Sequence, residues 1–225
     1  HAQAVGLTGA IMLAMNAVAP VAAEPLAAAA GWNAVFVLAA AASVASLGFL
    51  VGMRGGGHRC PKASAAEARY RRDPRLAFEY AAVSAASGLA YGTVMAFEQP
   101  LALAHGRSDV GAFLAAFAAG ALGLRLFAGS LPDRIGRSRA AFGALTAYAI
   151  GTAALGVTPA RFLDGVGLLL GLSHGLFFPA LNVLMLSRVP RSHRGRALAL
   201  FTAAFHFGVA GTAVLGPVAA SRGYP

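Results

Sequence analysis

Charge is what this chain has least of. Only 12% of its 225 residues are charged, about half the share expected of a soluble domain, and just 8 of them are acidic. A single cysteine, Cys60, excludes a disulfide framework and any cysteine-based metal site. A single lysine, Lys62, lies outside every apolar block, so no retinal Schiff base can form within a span and a seven-helix photoreceptor is excluded. The glycines at 55–57 lack the Lys-Ser/Thr that completes a phosphate-binding loop, which leaves ATP drive without support. No nucleophile–base pair or cluster of metal ligands stands out, so the sequence calls for no cofactor and does not suggest an enzyme.

What it has instead is apolar length. Hydrophobic residues make up 58% of the chain, in blocks near 4–26, 32–53, 77–103, 109–131, 140–157, 164–187 and 197–220. About 20 residues of helix cross a bilayer's hydrocarbon core, so the blocks predict an all-α polytopic membrane protein with seven transmembrane helices. The net charge of +10 would fit a nucleic-acid partner, but its distribution argues against one. Fourteen of the 18 basic residues fall after the second, fourth and sixth blocks, the pattern of cytoplasmic loops in contact with anionic lipid head groups. Arg107, Arg161 and Arg222 fall on the other side, and Arg125 lies within a span.

The blocks are unevenly joined. Residues 54–76 carry three glycines, Pro61, Pro74 and seven basic residues, which predicts a solvated linker after two helices and before five more. His1 is not an initiator and the chain stops at Pro225 soon after a helix, so a piece of a longer protein is expected. Seventeen arginines against one lysine, with abundant alanine, point to a GC-rich bacterial source. A proline near the outer end of a helix followed by a Gly-aromatic pair occurs at Pro20 and Gly31-Trp32, and again at Pro217 and Gly223-Tyr224. Such an echo is expected of two repeated halves.

One turn is more specific than composition. Between the fourth and fifth blocks stands Gly129-Ser-Leu-Pro-Asp133-Arg134-Ile-Gly136-Arg137-Ser-Arg139. It resembles the signature loop of the major facilitator superfamily, G-x-L-A-D-R-x-G-R-R, with Pro132 where alanine is usual and Ser138 where a second basic residue is usual. His174-Gly175-x-x-Phe178-Pro179 resembles that family's tenth helix, and Arg194-Gly195-Arg196-Ala197 the start of its eleventh. Ala19-Pro20 stands where exporters of the family often have Gly-Pro.

The resemblance covers nearly the whole chain, as family helices five to eleven, seven of an expected twelve. It implies that 1–53 end one half, 54–76 link the halves, and 77–225 form the second half without its last helix. It implies further that Gly129, Asp133, Arg134, Gly136 and Arg137 form a conformational latch, Asp133 facing the cytoplasmic end of the first helix. Arg125, two turns earlier on the same face, would anchor it.

Polar residues inside spans are costly and make functional candidates. Ser84, Ser87, Tyr91 and Glu98 fall on one face of the third block, and Pro100 should kink or break the helix just beyond. Glu98 is either a cation or proton site near the outer mouth or an acid reaching external water, about 30 Å from Phe78. Gly167, Gly171 and Gly175 form a small-residue ridge for close helix contact. His174 beside it, with Phe178 and Asn182 one and two turns on, either titrates along a substrate path or bonds a neighbouring helix as a neutral ring. His206 poses the same choice. Arg161 reads as outer loop.

The resulting expectation is a secondary transporter, a proton-coupled efflux permease of the bacterial inner membrane. Its partners would be a small organic solute, a proton or other coupling ion, and lipid, with no nucleic acid and a monomer at full length. A non-transporting membrane sensor or scaffold with the same fold is the alternative.

Overall fold

Runs of alanine and leucine without charge favour helix, and where no water competes for backbone groups the glycines among them are tolerated. The computed structural model describes residues 2–52, 74–107, 111–128 and 131–222, and among them no strand occurs. The helices are α1 (Ala2–Gly52), α2 (Pro74–Ala104), α3 (Gly111–Phe127), a short α4 (Leu131–Ile135), α5 (Arg137–Leu155), α6 (Leu163–Arg188) and α7 (Arg194–Arg222). Single 3-10 turns at Ala160–Phe162 and Arg191–His193, each preceded by proline, lead into α6 and α7. The expected linker lies outside the described residues up to position 73, and α2 opens on Pro74, a residue suited to a first helical position.

The all-α membrane fold holds, but the count of seven helices does not. Six long helices are present among the described residues, because the first two apolar blocks run as one element. Only Gly31 interrupts it, with non-helical φ 79° and ψ 163°. A lone glycine in that conformation kinks the chain without supplying a loop, so helix resumes at once beyond it. Among the described residues, four stretches are long and apolar enough to cross a membrane: Pro25–Phe49, Arg75–Ala104, Ala160–Arg188 and Arg191–Val218. At 17 residues α3 is shorter, about 26 Å of helix.

Packing makes α6 the centre. It lies against α3 on one side and α5 on another, while α2 pairs with α7 and α1 touches α3. The glycine ridge explains the first contact. A methyl group at Gly167 would sit 2.9 Å from the Phe113 carbonyl oxygen, and one at Gly175 would sit 2.7 Å from that of Ala121. Between them Gly171 lies directly on the backbone of Phe117, so only glycine allows this approach.

The α2–α7 pair repeats the device, with Gly88 on the Phe205 backbone and Gly208 on that of Ala85. Ser84 then donates a hydrogen bond from Oγ to the Phe201 carbonyl at 2.7 Å across the seam. Around these seams the large apolar side chains of α1, including Trp32, Phe36 and Phe49, point outward, as lipid or a further helical layer requires.

Candidate functional site

Helical rise spreads the sequence's candidates along α2 and α6, and packing sorts them into separate places. In the middle of the bundle His174 is 5% exposed and ringed by aromatic side chains from four other helices and its own. Its ring centroid lies 4.9 Å from that of Tyr91, 5.7 Å from Phe117 and 6.3 Å from Tyr148. Phe177 meets it edge-on at 5.1 Å and Phe178 stacks at 5.8 Å. Such offset and edge-to-face contacts are favourable beyond the area they bury. The Nδ1 atom of His174 and the hydroxyl of Tyr148 are both buried without a hydrogen-bond partner. Two turns along α6, Asn182 spends its Nδ2 on the Phe178 carbonyl at 3.0 Å and leaves Oδ1 unpartnered.

His206 does not join this cluster. It is exposed on α7 and its Nδ1 lies 2.9 Å from the Thr202 carbonyl of its own helix. Tyr91 and His174 are therefore brought together, and His206 is set apart.

Glu98 stands two turns beyond Tyr91, about 10 Å along α2. Helix α2 continues through Pro100 to Ala104 rather than breaking there, although Pro100 cannot donate to the Ala96 carbonyl. Because the helix continues, Glu98 is held inside the bundle end, 4% exposed, with Oε1 unpartnered. It lines a narrow crevice with Leu101, Ala102, Arg107, Phe113, Leu155 and Leu163.

Arg107 donates from Nη2 to Asp164 Oδ2 at 3.0 Å and from Nη1 to the Ala160 carbonyl at 3.1 Å. Asp164 sits in the first turn of α6, where the helix dipole also favours a carboxylate. Sequence reasoning missed this pair, as it missed Tyr148 and Ser173. The available signal was that Arg107 and Asp164 carry opposite charge at the same expected membrane face. Arg161 is exposed in its 3-10 turn, with its guanidinium 4.8 Å from the Phe162 ring.

The charged turn lies at the other end. Gly129 and the Asp133 side chain lie outside the described residues. Arg134, Gly136 and Arg137 are exposed, and Gly136 takes φ 93° as it leads into α5. That conformation, not crowding, requires glycine, since a Cβ there would meet nothing within 4 Å. Arg125 and Asp133 do not share a helix face: α3 ends at Phe127 and Asp133 belongs to α4. Arg125 Nε is buried without a hydrogen-bond partner.

The turn stands between helices α3 and α5 of a bundle built on paired glycine seams, and residues 80–224 match the family model of the Major Facilitator Superfamily. The chain belongs to the major facilitator superfamily. No solved structure matches it. As a member of this transporter family the chain is a multi-pass membrane protein whose relatives carry small molecules across a bilayer, and the family is not one of enzymes. In this major facilitator chain the polar groups Ser84, Ser87, Glu98, Ser173, His174 and Asn182 are each 5% exposed or less within an apolar bundle.

Proposed function

We propose that the complete transporter exports a small organic solute across a bacterial cytoplasmic membrane, by alternating access coupled to proton entry. One observation carries this: six polar side chains are buried along α2 and α6 within an apolar bundle, a placement that marks functional candidates in a membrane span. Solute would bind near the midplane between this half and a second one, with the Tyr91–His174 region beneath that interface.

The turn at 129–139 would act as the cytoplasmic latch, Asp133 pairing across to the other half and Arg134 and Arg137 holding it. Arg125 would support that latch from α3. Glu98 is the candidate for the coupling proton, and Asn182 for a polar contact lower on the path. At full length the transporter would act as a monomer, without a cofactor.

The test is transport by full-length protein in liposomes, across a panel of drugs, sugars and organic acids, with and without an imposed pH gradient. We expect at least one solute to move against its gradient, and a protonophore to abolish that movement. If no solute moves faster than through empty liposomes, the transport reading is wrong. If one moves regardless of the pH gradient, the proton is not the coupling ion.

A further inference from the structure

At the end of the bundle away from the charged turn, Glu98, Arg107 and Asp164 are placed unequally. Arg107 is 14% exposed and bonds Asp164, which is 41% exposed, and the Ala160 carbonyl. Glu98 lines the same crevice as Arg107, is itself 4% exposed, and has Oε1 without a partner. The rest of that crevice is apolar: Leu101, Ala102, Phe113, Leu155 and Leu163. A buried carboxylate is costly unless a cation or several donors meet it, and here the cation is committed to the more exposed acid. The neutral acid is the form of Glu98 that fits this arrangement.

Among the described residues, the other charged groups near this end stand outside the crevice. His105 is exposed on the turn after α2, and Arg161 lies over the Phe162 ring. Helix α5 contributes Leu155 to the crevice, and α7 meets α2 nearby through Val209 and Thr212 at Gly92. Asp109 and the Arg222 side chain lie outside the described residues.

We propose that Glu98 is a proton-binding site whose proton is exchanged for Arg107, with Asp164 holding that arginine away while the proton is bound. The exchange balances. With Glu98 protonated, Arg107 and Asp164 neutralise each other. When Glu98 releases its proton to outer water, Arg107 turns its Nη hydrogens to the new carboxylate. Asp164, 41% exposed although its Oδ1 is buried without a partner, then stands as an anion at the start of α6, met by water on its open side and by the helix dipole. Proton binding from outside reverses the swap and returns Arg107 to the start of α6. Pro100 lies between Glu98 and Arg107 and removes one helical hydrogen bond, which lets the last turn of α2 adjust.

The inference gives a location to the proton coupling proposed above and rests on that reading for its purpose. Its test does not depend on finding a solute. Full-length protein in lipid is followed by infrared difference spectroscopy of the protonated-carboxyl C=O stretch, assigned to Glu98 by its loss in Glu98→Gln. The band is expected at neutral pH in the wild type and lost at alkaline pH.

Asp164→Asn removes the carboxylate that draws Arg107 away from Glu98, so the band is expected to be lost already at neutral pH. Arg107→Gln removes the replacement cation, so the band is expected to persist at the alkaline pH where the wild type has lost it. Absence of the band in neutral wild type overturns the proposal, as does an Arg107→Gln spectrum that titrates like wild type. Should Asp164→Asn fail to fold, Arg107→Gln decides alone. Intact spectra with no transport of any solute would sink the transport reading and leave the site standing.

Discussion

Replacing Gly171 by alanine is the sharpest probe of how this bundle is held together. The added methyl would land on the Phe117 backbone, with the carbonyl oxygen, carbon and Cα all in its path. Backbone in a helix cannot rotate aside, so α3 and α6 must part. At neighbouring Gly175 the methyl would lie 2.7 Å from the Ala121 oxygen and 3.0 Å from its Cα. An ordinary C–H···O contact is about 3.3–3.6 Å, so the helices must separate there by roughly 0.6–0.9 Å.

Overpacking of this kind costs about 1–3 kcal/mol, offset by about 1 kcal/mol from alanine's better helix propensity. Gly171→Ala, meeting rigid backbone most closely, should therefore lose about 2 kcal/mol or more, and Gly175→Ala roughly 1 kcal/mol. Gly143 on α5 has nothing within 4 Å of its hypothetical Cβ, so Gly143→Ala should be neutral or slightly stabilising. Unfolding of the full-length protein in mixed micelles, followed by far-UV circular dichroism, measures all three. If Gly171→Ala proves no less stable than Gly143→Ala, the close α3–α6 contact described above does not exist in the membrane.

Two further expectations use the same unfolding measurement. Ser84→Ala removes the 2.7 Å bond to the Phe201 carbonyl across the α2–α7 seam and should cost about 0.6–1.7 kcal/mol. Ser87→Ala removes only a bond to the Ser84 carbonyl within α2 and should cost less, so the reverse order would refute the seam's hydrogen bond. Gly136→Ala has space for its methyl but forces a non-glycine residue to φ 93°, at a cost of about 1–3 kcal/mol. Gly195→Ala, also with open space and no positive φ, should be harmless, and equal effects at the two sites would contradict the turn geometry.

The helices were legible because membrane helices announce themselves locally. Apolar length marked α2, α6 and α7 to within a few residues, and the spacing of Gly167, Gly171 and Gly175 marked a contact face before its partner was known. The turn at 129–139 was legible for a similar reason, since its glycines and charges are neighbours in the chain. Helix boundaries at weak signals were not. The apolar blocks at 4–26 and 32–53 read as two spans with a break between them, yet helix runs through the break and Gly31 makes only a kink.

By itself the sequence determined the membrane class, the order of helices and the family, because hydrophobicity, periodicity and a short motif are all properties of local segments. It placed Glu98 and His174 within spans but left open what each meets. Only the tertiary structure decided that Arg107 reaches Asp164, 57 positions away, that Glu98 is buried beside that pair, and that Tyr91 and Tyr148 close around His174. Those pairings follow from helix crossings at the glycine seams, where a missing side chain on one helix sets which residue of another comes near.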